Sequence, residues 1–321
     1  MSERALLQRL AAGPATGAEL ARDFGLTRGG VWKRIQSLRA MGVDVQARPG
    51  RGYALAQPLS LLDADTLRTQ LAGDARAELA GLELVFETDS TNALALRAPV
   101  PDRGSFAWLA ERQTAGCGRR GRAWASPLAA HVYLSLARRF DGGVSALQGL
   151  SLAVGVTVAE ALHGLGYAQV GVKWPNDLLA EGRKLGGILV EIGGEASGPL
   201  RVVVGLGINV AMPTAAARDI DQPWCDLAAL SPVPPSRQDV CVALLDALLP
   251  MLARFEREGL AAFLDAWARH DLLAGRAVRV TDAGRDYEGV ARGIRADGAL
   301  RVQLSDGERC FHAGEASLRA A

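Results

Sequence analysis

The chain has 321 residues, of which 49% are hydrophobic and 22% charged, and its formal net charge is +1. This composition is ordinary for a soluble globular protein of two or three domains and argues against a disordered chain. No segment reaches the roughly 18 uncharged apolar residues of a membrane span, so we expect a cytoplasmic protein with no membrane partner. The four cysteines form no CxxC pair, which argues against a zinc site or a disulfide framework.

Positive charge is concentrated near the N-terminus. Residues 1–60 contain nine lysines and arginines but only four acids, a net charge of +5 that leaves −4 for the remainder. A compact basic segment on a mildly acidic body suggests nucleic acid as a partner of that segment only. Only three of the 36 cationic residues are lysines, Lys33, Lys173 and Lys184. These positions either require a compact ammonium group or have kept lysine by chance.

Residues 1–60 have the pattern of a winged helix-turn-helix domain. Three helices are predicted, over residues 3–12, 17–24 and 27–41. Thr27 is an N-cap candidate for the third helix, which follows a tight turn and so has the position of a recognition helix that enters the major groove of DNA. Residues 42–55 predict a β-hairpin, the wing, with a turn at Pro49–Gly52.

This domain offers a set of candidate DNA contacts on the recognition helix and the wing tip. They are Thr27, Arg28, Lys33, Arg34, Arg48 and Arg51. Winged domains also mediate protein contacts, so the fold alone does not prove DNA binding. Gly29 and Gly30 fit either a close approach to a phosphate backbone or a frayed helix start.

The rest of the chain predicts a mixed α+β domain and then a small barrel. Strands are predicted over residues 82–87, 106–111, 132–137, 170–174, 185–191 and 201–206. Residues 147–165 predict a buried helix, and residues 236–269 two further helices. Strands in clusters, rather than in strict alternation with helices, favour a mixed sheet. From residue 277 the short strands and glycine turns are typical of a small β-barrel.

A stretch rich in glycine and arginine stands out in the central region. Between Gln113 and Trp124 the chain reads QTAGCGRRGRAW. Glycine allows the backbone to approach an anion closely, and guanidinium groups pair with phosphate oxygens. The stretch lacks the Gly-Lys-Ser/Thr ending of a Walker loop. It therefore indicates either a loop that closes over phosphate or a solvated basic surface loop.

Four further strings lie where predicted strands meet loops. They are DSTN at 89–92, KWPND at 173–177, RKLGG at 183–187 and GLGIN at 205–209. Such positions are usual for site residues on a rigid scaffold. The DSTN string either binds a polar head group or forms a plain turn or helix N-cap. Asn176 and Asp177 either help to hold Mg²⁺ or form a turn after the proline.

In this order and spacing, the five motifs resemble those of the biotin protein ligases, in particular the bifunctional type that is also the biotin operon repressor. The resemblance covers essentially the whole chain. It implies an α+β protein with a winged helix-turn-helix DNA-binding domain over residues 1–60, a class II synthetase-like, mixed-sheet ligase domain over 61–271 and an SH3-like barrel over 272–321. It also implies an enzyme that makes biotinyl-5'-AMP from biotin and MgATP, then transfers biotin to a lysine of a biotin carboxyl carrier protein.

The resemblance implies roles for individual residues. Those expected to bind biotin are Ser90, Thr91, Asn92, Gln113, Gly116, Cys117, Gly118, Arg119 and Lys184. Those expected to bind the adenylate are Arg120, Arg122, Trp124, Lys173, Asn176, Asn209 and Trp224. Lys184 and Arg119 are expected to be catalytic, Asp177 to bind Mg²⁺, and residues 210–223 to form a second closing loop. Adenylate binding is further expected to promote a homodimer that binds a two-fold symmetric operator.

The residues fit this chemistry independently of the resemblance. Attack of a carboxylate on the α-phosphate needs positioning and charge neutralisation but no protein nucleophile, and the four histidines form no recognisable triad. One departure is Cys117, since members of the family commonly have arginine there. It motivates an alternative, a DNA-binding biotin sensor with weakened or lost ligase activity. A ligase for another carboxylic cofactor such as lipoate is a third hypothesis, although those enzymes usually lack the N-terminal domain.

Overall fold

The protein is described by a computed structural model covering residues 2–48, 50–56, 59–193, 199–213, 216–217, 220–233, 235–313 and 317–320. Its strands form three sheets, of two, seven and five strands, which follow one another along the chain. The α+β fold class predicted from the sequence is confirmed.

The first sheet belongs to a winged helix-turn-helix. Its elements are α1 (Glu3–Ala11), α2 (Gly17–Asp23), α3 (Arg28–Ala40), β1 (Val45–Arg48) and β2 (Gly52–Leu55). Thr16 and Glu19 form a capping box at the start of α2, and Thr27 Oγ1 accepts a 3.1 Å hydrogen bond from the Gly30 amide at the start of α3. The predicted wing is an antiparallel β1–β2 hairpin. Pro49 of its predicted turn lies outside the described residues.

The three helices share one hydrophobic core. Leu6, Leu20 and Ile35 are fully buried there. The core also includes Leu128 from the central region, and Phe86 packs against it. The first domain is therefore seated on the second by apolar contact.

The central sheet has seven strands in the order β3-β4-β5-β9-β8-β7-β6. The strands are β3 (Leu79–Thr88), β4 (Ser105–Gln113), β5 (His131–Phe140), β6 (Val170–Lys173), β7 (Asp177–Ala180), β8 (Arg183–Gly193) and β9 (Leu200–Asn209). β3 runs parallel to β4, and the other paired strands of this sheet are antiparallel. In this register Gly207 of β9 faces Tyr133 of β5 on one side and Gly187 of β8 on the other. Glycines thus meet at the centre of the sheet.

Helices cover the sheet and connect it to the other domains. They are α4 (Ala64–Gln70), α5 (Gly73–Glu78), α6 (Thr91–Arg97), α7 (Leu150–Gly164), α8 (Leu227–Leu230), α9 (Arg237–Glu258) and α10 (Leu264–His270). α7 packs on α9 and on β6 and β8. Val154, Val158 and Leu162 of α7 are fully buried, as expected for the core helix predicted over residues 147–165.

One stretch, Val144–Gly164, is long and apolar enough by composition to span a membrane, which the sequence analysis did not recognise. Half of the apolar window is buried inside the protein. Since α7 lies within this stretch and packs against helix and sheet, its hydropathy is accounted for by the core of the central domain.

A buried ion pair joins the sheet to α9 and to the segment that follows the winged domain. Arg237 Nη2 lies 2.6 Å from Glu111 Oε2, and the side chains are only 6% and 0% exposed. The other carboxylate oxygen, Oε1, accepts a 2.6 Å hydrogen bond from the Leu62 amide. The pair therefore ties the connection between the first two domains to the centre of the second.

The last sheet is the predicted C-terminal β domain. It has five antiparallel strands in the order β13-β12-β11-β10-β14. They are β10 (Ala277–Asp282), β11 (Arg285–Ile294), β12 (Leu300–Leu304), β13 (Gly307–Phe311) and β14 (Ser317–Ala320). Trp174 Nε1, from the KWPND string, donates a 3.1 Å hydrogen bond to the Gly298 carbonyl. The C-terminal sheet is thereby fixed beside the central one.

Two elements that contribute residues to the site, α6 and β7, were not predicted from the sequence. The DSTN string leads into α6, with Ser90 at the N-cap position but making no capping hydrogen bond, so the plain-cap interpretation is wrong for its side chain. Asn176 lies in the turn of residues 174–176, as the turn interpretation has it, whereas Asp177 begins strand β7, which pairs with β6 and β8.

Candidate active site

The strings singled out in the sequence meet in one large cleft of the central domain. Its volume is 1340 Å³. Among the predicted residues, those lining it are Ser90, Thr91, Asn92, Gln113, Cys117, Gly118, Arg119, Arg120, Arg122, Trp124, Lys173, Asn176, Asp177 and Lys184. Motifs spread over about a third of the chain thus converge on one space.

The glycine-arginine loop is a compact hairpin rather than an open coil. Cys117 pairs with Ala123 across it, and the Gly118 amide donates to the Arg122 carbonyl at 2.8 Å. Arg120 and Gly121 at its tip have φ values of 59° and 71°, the left-handed region that favours glycine. The loop is therefore shaped to place consecutive arginines at the mouth of the cleft.

Arg119 connects this loop to two other parts of the protein. Its Nη1 lies 3.3 Å from Asn176 Oδ1, and its Nη2 donates to the Ala313 carbonyl of the C-terminal domain. Burial lowers the pKa of this guanidinium, and the charge of Arg120 adds to the effect. The side chain stays positively charged at neutral pH, so it brings a partly desolvated cation to the cleft.

The two lysines of the central motifs share one carboxylate. Asp177 Oδ1 lies 2.7 Å from Lys184 Nζ, and Asp177 Oδ2 lies 3.3 Å from Lys173 Nζ. Burial alone raises the pKa of Asp177, but the ammonium groups of Lys184 and Lys173 outweigh it and hold that pKa below its usual value. The carboxylate is therefore ionised and fixes both cations at the cleft wall.

Trp124 covers the inner end of this cluster. Lys184 Nζ lies 5.5 Å from the centroid of the Trp124 ring, a cation–π distance. A Cβ atom at Gly207 would lie 2.7 Å from the same indole, so only glycine fits beneath it. The buried Trp124 Nε1 has no hydrogen-bond partner within the described part of the chain, which leaves a donor for a ligand.

A polar network lines the opposite wall. Gln113 Oε1 accepts hydrogen bonds from the Thr91 amide at 2.8 Å and from Thr91 Oγ1 at 3.2 Å. Gln113 Nε2 donates to Ser126 Oγ at 3.1 Å, and Ser135 Oγ donates to Asn92 Oδ1 at 2.6 Å. Amide and hydroxyl groups held in fixed directions suit a small polar ring such as a cyclic urea.

Three predicted contacts lie outside the lining of the cleft: Gly116, Asn209 and Trp224. Asn209 is buried and its Nδ2 donates to the Cys225 carbonyl at 3.0 Å, which holds the segment that pairs with Lys184. A Cβ atom at Gly116 would lie 2.6 Å from Ser126 Oγ. These residues shape the site from behind, and direct contact of any of them with a ligand stays a prediction.

The expected second closing loop, residues 210–223, is only partly described. Residues 214, 215, 218 and 219 lie outside the described residues. Asp221, Gln222 and Pro223 line the cleft, and the Pro223 carbonyl accepts a 3.0 Å hydrogen bond from the Lys184 amide. This end of the segment is thus part of the site wall.

The donor set allows Mg²⁺ only together with a nucleotide. Within the described residues no group of three His, Cys, Asp or Glu side chains is placed to hold a metal ion. Asp177 contributes one carboxylate and Asn176 one amide oxygen, and Mg²⁺ is usually bound by one or two carboxylates plus substrate phosphates. The residues therefore fit an ion that arrives with ATP.

The candidate DNA contacts lie on the recognition helix and the wing. Thr27, Arg28, Lys33, Arg48 and Arg51 are exposed. Arg34 differs, because its Nη1 lies 2.5 Å from Glu3 Oε1 on α1. Arg34 thus also helps to hold α1 against α3, and its contact with DNA stays a prediction.

Comparison with known proteins agrees with this organisation. An HTH domain family matches residues 3–54, the biotin/lipoate A/B protein ligase family matches residues 88–209, and the biotin protein ligase C terminal domain matches residues 274–319. The bifunctional ligase/repressor BirA proteins of Salmonella typhimurium and Escherichia coli are each 39% identical to this chain over 306 residues, covering 95% of this chain and 93% of theirs. This chain belongs to the biotin protein ligase family.

Two further biotin protein ligases match smaller parts of this chain. The biotin–[acetyl-CoA-carboxylase] ligase of Mycobacterium tuberculosis is 37% identical over 261 residues, covering 79% of this chain and 94% of its own. The structure of the Aquifex aeolicus biotin protein ligase with biotin and ATP has a TM-score of 0.64 at 24% identity and covers 75% of this chain and 100% of that one. This second likeness supports the fold.

Cys117, where the resemblance leads us to expect arginine, and the nearby strand residue His131 have different surroundings. Cys117 is exposed and its Sγ lies 3.2 Å from the Gly118 carbonyl oxygen, so it offers no cation to the cleft. His131 is fully buried, and burial lowers its pKa to about 3. Its Nδ1 accepts a 3.0 Å hydrogen bond from the Val210 amide, so the ring is neutral and structural.

Sequence reasoning missed three polar residues of the site: Ser126, Ser135 and Glu191. Ser126 bonds to Gln113, Ser135 to Asn92, and Glu191 Oε2 accepts a 2.7 Å hydrogen bond from Asn92 Nδ2. The one sequence signal for such a position is a polar residue within an otherwise hydrophobic predicted strand, as Ser135 is in YLSLA.

Proposed function

We propose that this protein is a biotin protein ligase that also represses transcription. It forms biotinyl-5'-AMP from biotin and ATP, transfers biotin to a lysine of a biotin carboxyl carrier protein, and binds operator DNA through its N-terminal domain. The observation that carries the proposal is the convergence of Lys184, Lys173 and Arg119 on one cleft, opposite the Thr91–Gln113 network. The full-length similarity to ligase/repressors supports it.

The first step joins two anions. An oxygen of the biotin carboxylate attacks the α-phosphorus of ATP, the bond to the bridging oxygen breaks, and pyrophosphate leaves. The carboxylate is itself the nucleophile, so the protein supplies positioning and positive charge. Lys184 and Lys173 are held ready by Asp177, and Arg119 reaches the same space through Asn176.

Mg²⁺ is expected to enter with the nucleotide. When bound, it neutralises phosphate charge and orients the leaving group. Asp177 and Asn176 are the residues that would hold it.

The second step consumes a reactive mixed anhydride. The ε-amine of the carrier lysine attacks the acyl carbon, the bond to the phosphate oxygen breaks, AMP leaves, and the amine loses a proton. Because water competes for this intermediate, the site must exclude it. The hairpin of residues 116–124 stands at the mouth of the cleft, where it can shield the anhydride.

The ligase proposal is tested by incubating a biotin acceptor domain with the protein, biotin and MgATP, and scoring biotinylation by a streptavidin gel shift. We expect transfer by the wild type and a loss of at least 100-fold in Lys184→Ala, on the order of the effect of a lost transition-state cation. Arg183→Ala is the matched control, because the side chain of this neighbouring cation does not line the cleft, although its ion-pair partner Glu181 does. Absence of transfer by the wild type would refute the proposal.

The repressor proposal concerns the N-terminal domain. Its exposed cations, Arg28, Lys33, Arg48 and Arg51, suit the DNA backbone, and adenylate binding is expected to promote a homodimer in the cytoplasm that places one domain on each half-site. Size-exclusion chromatography and a DNA gel shift, with and without biotin and MgATP, test this. Equal DNA binding in both conditions contradicts regulation by the adenylate.

The alternatives have less support. A biotin sensor without ligase activity leaves unexplained why both lysines, Asp177 and Arg119 are assembled in the cleft. A lipoate ligase is disfavoured because the biotin protein ligase C terminal domain family matches residues 274–319, and a biotin–[acetyl-CoA-carboxylase] ligase is 37% identical and covers 79% of this chain. Incubating the acceptor domain with lipoate in place of biotin, and measuring its mass by mass spectrometry, separates this case.

A further inference from the structure

One tryptophan stands apart from the others. Trp32 is 54% exposed, whereas Trp108, Trp174 and Trp267 are at most 2% exposed. An indole is a large apolar group that proteins usually place in a core or an interface. Trp32 lies on the recognition helix α3, so its surroundings on that helix indicate which partner it would contact.

Trp32 lies on the outer side of α3. Val31, Ile35 and Leu38 form the buried side of the helix. Residues three apart are neighbours on a helix, so Gly29 lies beside Trp32 one turn earlier, and both are exposed. Together they form a small outward patch: an open space next to an aromatic ring.

Nothing within the protein requires glycine at position 29. A Cβ atom there would meet only Thr27 Oγ1, at 4.0 Å. The helix start is not frayed, because Thr27 caps it and Arg28 to Gly30 are helical. Glycine is a poor helix former, so its presence in a capped helix suits a surface that a partner approaches closely.

The surroundings of the patch fit duplex DNA. Arg28 and Lys33 are exposed on either side of it, and residues 1–60 have a net charge of +5. A helix fits the major groove, where a thymine methyl group is the apolar feature of a base edge and arginine and lysine contact phosphates or guanine.

We infer that Trp32 reads pyrimidine edges, chiefly thymine methyl groups, in the major groove of each operator half-site, and that Gly29 allows the helix to come close enough. The inference rests on the proposed DNA binding by the N-terminal domain. In this inference the apolar contact of Trp32 gives the preference for a DNA sequence, and the neighbouring Arg28 and Lys33 give affinity for any duplex.

The test uses the full-length protein with biotin and MgATP. A preferred site is selected from a randomised duplex library, and its affinity is compared with that of a scrambled duplex of equal length. We expect Trp32→Ala to weaken binding to the selected site about tenfold and to leave binding to the scrambled duplex unchanged, the pattern of a lost base contact. Lys33→Ala should weaken both and reduce the salt dependence.

Two further variants keep the result interpretable. Gly29→Ala should leave thermal stability unchanged or higher and still weaken specific binding, which a folding defect would not do. Val144→Ala removes another exposed hydrophobic side chain, 57% exposed and far along the chain, and should change nothing.

Three outcomes overturn the inference. If Trp32→Ala binds both duplexes like the wild type, Trp32 is not a DNA contact. If it weakens both equally, Trp32 does not read bases. If the wild type binds no duplex while biotinylation proceeds, the proposed repressor function fails together with this inference, and the ligase proposal stands.

Discussion

Gly207→Ala should disable the active site without touching a charged residue. Gly207 lies in β9 beneath Trp124, and an added Cβ would lie 2.7 Å from the indole. Ordinary carbon contacts are 3.5–4.0 Å, so the ring must move by about 1 Å. The indole covers Lys184, and the Trp124 amide anchors the arginine hairpin through a 2.8 Å hydrogen bond to the Gly116 carbonyl.

A displacement of that size at a reacting centre costs about 100-fold in rate. Overpacking adds a stability loss of about 1–3 kcal/mol. We therefore expect kcat/KM for biotin transfer to the acceptor domain to fall about 100-fold, with a modest fall in the thermal midpoint of unfolding.

The strand partner of Gly207 provides the control. A Cβ at Gly187 would lie 3.6 Å from Trp124 Cζ3 and 3.6 Å from Lys184 Cε, which are normal contacts. Gly187→Ala should therefore leave the indole in place and keep the thermal midpoint of unfolding; because Gly187 lines the cleft, the control measurement is stability and not activity. If Gly207→Ala is fully active, or if both variants lower the thermal midpoint equally, the steric argument is refuted.

Three further predictions concern other features. Arg119→Ala should release biotinyl-5'-AMP about 10–100-fold faster, since a charge-assisted hydrogen bond is worth about 1.5–3 kcal/mol; an off-rate equal to that of the wild type would count against it. Glu111→Leu should lower the free energy of unfolding by about 3–5 kcal/mol, because it leaves the buried Arg237 without its ion-pair partner. Adding Arg237→Met should restore most of that stability in denaturant unfolding. Equal stability of the single and double variants would contradict this. Burial lowers the pKa of His131 to about 3 in the folded protein, against about 6.5 in the unfolded chain, so the free energy of unfolding falls as the pH drops below 6.5, by about 2 kcal/mol at pH 5. His131→Asn should reduce this pH dependence, and denaturant unfolding curves at pH 7 and pH 5 measure it.

The sequence was most informative where chemistry needs rare residue types. Lys173 and Lys184 were singled out because lysine is scarce in this chain, and they meet at one carboxylate. The winged helix, the mixed sheet and the C-terminal sheet followed from local patterns of apolar residues, caps and turns.

Long-range pairing was less predictable. Ser135 and Glu191 reach Asn92 only because β5, β9 and β8 are neighbours in the sheet, and no local pattern encodes that order. The sequence suggested that Asp177 is a metal ligand, and its pairing with two lysines depends on the β6–β7 and β7–β8 registers. The amide of Asn209, expected toward the adenylate, is already bonded to the Cys225 carbonyl.

Leu128 shows that the limits of the domains along the chain and the limits of their cores do not coincide. Its side chain is 6% exposed and is part of the hydrophobic core of the N-terminal helices, although in sequence it follows the hairpin of residues 116–124. A fragment ending at residue 60 would lack part of its own interior, and a fragment lacking those residues would expose Leu128 and Phe86 to water. A member of this family that lost its DNA-binding domain would first have to replace these apolar side chains with polar ones.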